Sequence, residues 1–190
     1  MSITGCILAG GQGSRMGGID KGLISFQRRY LIEHVIERMT PQVSELLINA
    51  NRHLEVYASF GYRIVQDQDD LFSGPLAGIE RGLSVAKTDW VAFTPCDSPF
   101  LPLDLVARLM NSTEQDNSRC AYVTTAEGMQ PVFCVIHKSL YKNLCHSLAA
   151  GNRKLISWLK EQPHSEVFFD HSEAFINLNT REELEHYNHD

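Results

Sequence analysis

Short apolar runs alternate along this chain with segments whose apolar residues recur at helical spacing. Ile3 to Ala9 is apolar and brief enough for a buried strand. Leu31, Ile32, Val35, Ile36 and Met39 then share one helical face, and Pro41 limits that helix. Glu45 to Asn49 and Tyr62 to Val65 read as two further strands. Pro75 is well placed to start a helix reaching about Lys87. Trp90 to Phe93 is another buried strand, and Pro102 opens a helix with Leu105, Val106 and Leu109 on one face. Beyond residue 118 the pattern predicts strands at 120–125 and 132–136, separated by 126–131. Helices at 138–150 and 153–161 and a late strand at 166–169 follow. Thr180 and Glu183 then form a capping box for a closing helix.

Strands alternating with helices predict a three-layer α/β/α sandwich around a mostly parallel, Rossmann-like sheet. Ligands of such sheets sit outside the carboxyl ends of the strands. Asn49, Asp67 and Asp97 all fall at predicted strand ends, as does the loop after Ile3–Ala9. Scattered in sequence, they should converge on one face.

That loop, residues 8–22, holds six glycines, with Arg15 near its middle and Lys21 near its end. Glycines leave backbone N–H groups unobstructed, and the cations add fixed charge, a combination that cradles phosphate. A flexible surface loop is the plainer account of the glycines, and a surface ion pair with Asp20 the plainer account of Lys21. Two better-known phosphate loops do not fit. Met16 stands where G-x-G-x-x-G needs its third glycine, and Ile19 where G-x-x-x-x-G-K-[ST] needs its lysine.

Composition narrows the class. At 190 residues the chain reads as one domain over 1–190, with 43% hydrophobic and 21% charged residues. The net charge of −6 argues against nucleic acid as the main partner. Cys6, Cys96, Cys120, Cys134 and Cys145 form no C-x-x-C pair and suit reduced thiols in a cytosolic enzyme. No leader pattern and no run of about 20 apolar residues stands out, so neither a signal peptide nor a membrane partner is expected, and the location expected is cytoplasmic.

Asp97 follows a strand between Pro95 and Pro99, a place suited to hold Mg²⁺ with substrate phosphates completing its shell. An isolated aspartate is more often a turn or cap residue. Asn177 and Asn179 alternate along an extended stretch, where simple capping is the competing role. Asp67 is first after its strand but sits in an acidic loop with Asp69 and Asp70. Arg153 and Lys154 open a helix and could meet an anion or be a solvated turn. The eight histidines read as surface or packing residues.

Leu8-Ala9-Gly10-Gly11, then Arg15-Met16-Gly17 and Lys21, resemble the signature loop of the nucleotidyltransferases that share a dinucleotide-binding-like α/β fold. Asp20-Lys21-Gly22-Leu23, Asn49-Ala50-Asn51-Arg52 and Gly74-Pro75-Leu76-Ala77-Gly78 resemble the guanylyltransferase branch of that family, which serves the molybdenum cofactor. The resemblance spans Leu8 to Leu184. It implies GTP and molybdopterin as substrates, Mg²⁺ on Asp97, and apo-molybdoenzymes or their chaperones as candidate partners. It implies catalytic roles for Arg15, Lys21 and Asp97, and nucleotide contacts at Leu8, Ala9, Gly10, Gly11, Lys21, Asn49, Asp67 and Asp97. The nucleotide part is expected at about 1–110 and the acceptor part at about 111–190. The resemblance brings Asn177 and Asn179 towards the metal and the substrate phosphate, and charge adds Arg153 to them as a candidate acceptor contact. Arg181 stands where the family's C-terminal motif commonly has proline. Rival readings are a cytidylyltransferase acting on a related pterin, whose loop tends to read Leu-Ala-Ala-Gly, and a non-catalytic nucleotide- or cofactor-binding module.

Overall fold

A computed structural model describes residues 1–11, 20–68 and 74–187. Arg15, Asp69 and Asp70 lie outside the described residues. Strand β1 (Ile3–Leu8) sits in the middle of a seven-stranded sheet. Its neighbours are β4 (Glu45–Asn49) and β6 (Trp90–Pro95), both parallel to it, with β5 (Arg63–Val65) parallel beyond β4. On the other side β8 (Gly128–His137) runs antiparallel to β6 and to β7 (Cys120–Thr125). The last strand, β9 (His164–Phe168), is parallel to β7. The order is β5-β4-β1-β6-β8-β7-β9, mostly parallel as the alternation predicts.

Parallel strands covered on both faces read as mostly apolar runs. Strands β1, β4 and β6 do so apart from the buried Thr4, Asn49 and Thr94 and the half-buried Glu45 that opens β4. Ile7, Leu46, Ile48 and Ala92 face one helix layer, made by α1 (Leu31–Met39), the short α2 (Leu54–Ala58) and α4 (Leu105–Asp116). Cys6, Leu47, Val91 and Phe93 face the other, made by α3 (Pro75–Val85), α5 (Tyr141–Ala149) and α6 (Leu155–Lys160). Each fully buried Leu, Ile or Val in these layers contributes about 1.5–3 kcal/mol against exposure. Three layers result.

Several boundaries differ from the sequence reading. A small antiparallel hairpin, β2 (Ser25–Phe26) with β3 (Arg29–Tyr30), precedes α1, and the pattern gave no sign of it. Residues 126–131 are not a separating loop. Strand β8 begins at Gly128, and its register against β7 slips between Tyr122 and Val123. Pro131 falls in the stretch that the slip leaves unpaired, where a residue without N–H is tolerated. Helix α7 (Arg181–Tyr187) closes the described chain, with the reciprocal Thr180–Glu183 capping bonds expected of it. Its Leu184 and the preceding Leu178 pack on Phe26 and Leu31, joining the C-terminal segment to the hairpin. Among the described residues no helix is long and apolar enough to cross a membrane.

Candidate active site

The carboxyl ends of β1, β4 and β6 open on a cleft of about 440 Å³, where such sheets hold their ligands. Leu8, Ala9, Gly10, Gly11, Lys21, Asn49, Asp67, Asp97 and Asn177 line it, joining residues expected at strand ends with one from the C-terminal segment. Backbone bonds fix these ends to one another: Ala9 N–H donates to Asn49 O at 2.8 Å, and Cys96 N–H to Leu8 O at 3.2 Å.

At one end of the cleft stands Asp97, 5% exposed on the turn after β6. Lys21 Nζ lies 3.4 Å from its Oδ2. Burial raises the Asp97 carboxyl above its usual value, and the Lys21 ammonium only partly opposes that shift. Lys21 also donates to Asn179 Oδ1, and Ser98 Oγ donates to Asn177 Oδ1 at 2.5 Å. Leu178 N–H meets Asp97 O at 2.9 Å, so residues 177–179 are laid along the Asp97 turn. Lys21 therefore pairs with Asp97 across the cleft. The surface pair with Asp20 is not formed. Asp20 is itself buried and accepts a hydrogen bond from the buried Tyr57 hydroxyl of α2. Burial first, then the nearby Cys96 and Asp20, holds the Tyr57 phenol far above its ordinary pKa, so it remains a donor.

At the other end Asp67, half-buried, accepts from Asn49 Nδ2 and from Asn51 Nδ2, each at 2.8 Å. A Cβ on Gly10 would stand 2.9 Å from Asn51 Nδ2 and 3.0 Å from Asn49 Oδ1. The bare α-carbon makes room for those asparagines. Helix α3 points its first turn, Gly74 and Pro75, into the cleft between the two ends. Gly78 lets that helix close in, since a Cβ there would overlap Asn49 Oδ1.

Spacing missed several members. Asp20, Gly74, Pro75, Gly78, Pro95, Cys96 and Val132 also line the cleft. Most lie inside motifs noted in the sequence, but Val132 enters from the irregular stretch of β8, which periodicity cannot locate. Arg153 is not among the lining residues. Its guanidinium donates to Leu148 O at the end of α5 and to Asn152 O on the turn that follows. The five thiols are unpaired, and burial pushes Cys6 and Cys120 up to about 12, which suits packing and not nucleophilic attack. Among the described residues no three metal-ligating side chains gather.

The sequence profile of the MobA-like NTP transferase domain matches residues 5–166. A molybdenum cofactor guanylyltransferase of Polynucleobacter asymbioticus is 49% identical over 187 residues, covering 96% of this chain and 94% of its own. The chain belongs to the molybdenum cofactor guanylyltransferase family. It is thus a nucleotidyltransferase. Another member, from Ralstonia pickettii, is 47% identical over 191 residues, with 96% and 94% covered. In fold the chain matches a molybdopterin-guanine dinucleotide biosynthesis protein A from Archaeoglobus fulgidus, with TM-score 0.80 at 20% identity over 98% and 97% of the two chains. In this guanylyltransferase family member, Gly10 and Gly11 of the first loop, Asn49 and the C-terminal Asn177 line one cleft.

Proposed function

We propose that this cleft transfers GMP from GTP to the terminal phosphate of molybdopterin, releasing pyrophosphate, in the cytoplasm. The observation that carries the reading is the Lys21–Asp97 pair at the end of β6, facing the Asn49–Asp67 contact across the strand ends. Cation and buried carboxylate suit a triphosphate; the amide and carboxylate edge suits a base. The family's curated relatives, named for guanylyl transfer, support guanine.

The acceptor phosphate is already an anion, so attack on the α-phosphorus needs no strong base. What it needs is alignment and neutralisation of the charge that gathers on the leaving pyrophosphate. Lys21, oriented by Asn179, supplies one fixed positive charge, and Arg15 would add a second. Asp97 fits a cation that brings most of its own shell: it is one buried carboxylate with Lys21 as its cationic neighbour, not part of a cage. Mg²⁺ held there would neutralise phosphate oxygens. The nucleotide part is read at about 1–110. Val132 and Asn177, from the acceptor part, line the same cleft as Asp97, which supports an approach of molybdopterin from that side.

The test is pyrophosphate release by the purified protein with Mg²⁺ and GTP, CTP or ATP, each with and without molybdopterin. Release should require molybdopterin and GTP together and stop when a chelator removes the metal. Equal turnover with CTP would replace guanine in this reading, and binding of GTP without turnover would reduce the site to a carrier.

A further inference from the structure

Asn51 does not line the cleft, yet it is tied more closely than any lining residue to the group that would read the base. Its Nδ2 donates to Asp67 Oδ2 at 2.8 Å and to Gly10 O at 3.3 Å. Its Oδ1 accepts from Asp67 N–H at 2.9 Å. Two donors and one acceptor are all engaged, so the amide is locked to the backbone and side chain of Asp67 and to the first turn after β1. Asn49 Nδ2, anchored on Val65 O at 3.2 Å, meets the other carboxylate oxygen. Each oxygen of Asp67 thus receives one amide proton from within the protein, which fixes the plane of the carboxylate. A carboxylate offers about four lone-pair directions, and two remain for a ligand. Two parallel acceptors fit a ligand edge with two adjacent N–H donors. Guanine presents such an edge at N1–H and N2–H; cytosine and adenine each put an acceptor nitrogen where one donor should be.

We infer that Asn51 is a positioning residue that sets base specificity, by holding the Asp67 carboxylate square to the two-donor edge of guanine without touching the nucleotide itself. Gly10 belongs to the same device, since a side chain there would displace Asn51. The inference rests on the guanine reading above.

Its measure is discrimination, not affinity alone. Inosine triphosphate lacks the 2-amino group and so loses one charge-assisted hydrogen bond, worth roughly tenfold to a hundredfold in binding. The full-length protein should bind GTP tighter than inosine triphosphate by that factor, with Mg²⁺ present and no acceptor. In Asn51→Ala the ratio should fall towards one while the melting temperature stays within a few degrees. Asn51→Asp keeps the shape but sets a second carboxylate against Asp67, and should weaken GTP more than it weakens inosine triphosphate. If both variants keep the ratio and merely lose affinity or stability, Asn51 is structural and the inference is overturned. If the unmodified protein does not prefer GTP to CTP, the guanine reading itself fails, and this inference goes with it.

Discussion

Asp97 carries an unfavourable charge for the fold, and that has a measurable sign. Burial raises its folded pKa, so its ionised form costs stability at neutral pH. That cost disappears as the pH falls through the folded value towards the ordinary 3.8. Asp97→Asn should therefore melt no lower than the parent near neutral pH, and any advantage should shrink on acidification. Turnover should nevertheless drop by about 10²–10³, the usual loss for one well-placed charged group in a site. Melting curves and rates at several pH values test both parts; normal turnover in folded Asp97→Asn would falsify its role as metal ligand. Lys21 acts on the same group from the other side. Removing its ammonium takes away the main influence that lowers the Asp97 pKa. Lys21→Ala should then lower kcat/KM sharply, and the acid limb of its residual activity should move to higher pH. Lys21→Arg should restore little, because a planar fork does not replace a compact ammonium between Asp97 and Asn179. An unchanged acid limb in Lys21→Ala would show that the pair does not control the titration.

Helix α2 is five residues long, too short to fold by propensity, and its place is set by what Tyr57 reaches. The buried Tyr57 hydroxyl bonds Asp20, a lining residue of the cleft and the residue before Lys21. Tyr57→Phe keeps the ring in the core and deletes that one donor to a buried carboxylate. The expected cost is about 2 kcal/mol, or roughly 4–8 °C in melting temperature for a chain of this length. Activity should fall by more than thermal loss explains, since the backbone entering Lys21 loses its anchor; calorimetry and kinetics on one preparation separate the two. This contact also marks where sequence legibility stopped. Strands β1, β4 and β6 could be read because buried parallel strands are plain apolar runs, and α1 and α3 because they repeat over several turns or carry proline at the start. A helix as short as α2 has no period to detect. The β2–β3 turn runs through Gln27 and Arg28, both at positive φ (48° and 67°), with none of the Asn or Gly that announces such a turn. Pro131 hid the first half of β8. In the site, Asn49, Asp67 and Asp97 were legible as single residues at strand ends, and Lys21 as a cation of the glycine-rich loop. Asn51, the partner of Asp67, and Tyr57, the partner of Asp20, were not singled out as site residues, because those relations are tertiary and no spacing encodes them.

At the scale of the molecule, the cleft depends on segments from both ends of the chain. The strand ends of the parallel half supply Gly10, Asn49 and Asp97. Residues 177–179, returning after the antiparallel half, hold Lys21 and Ser98, and Leu178 with Leu184 seals this return against Phe26 and Leu31. A ligand that fills the cleft therefore bridges elements that must separate on unfolding, and its binding adds directly to global stability. At a free concentration of 100 times its Kd, GTP with Mg²⁺ should add about 2.7 kcal/mol. For a chain of this size that is a rise of roughly 5–11 °C in melting temperature. CTP at the same concentration should give a smaller rise, and GTP with a chelator should fall short of GTP with Mg²⁺, since a metal held by Asp97 would neutralise charge that Lys21 alone cannot. Thermal shift measurements with these three mixtures are sufficient. Equal shifts for GTP and CTP would remove guanine selectivity from the site, and an identical GTP shift with the metal chelated would remove Asp97 from metal binding. No shift with GTP and Mg²⁺ at any concentration would mean that the folded protein does not bind this nucleotide, and the reading of the cleft as a GTP site would fail with it.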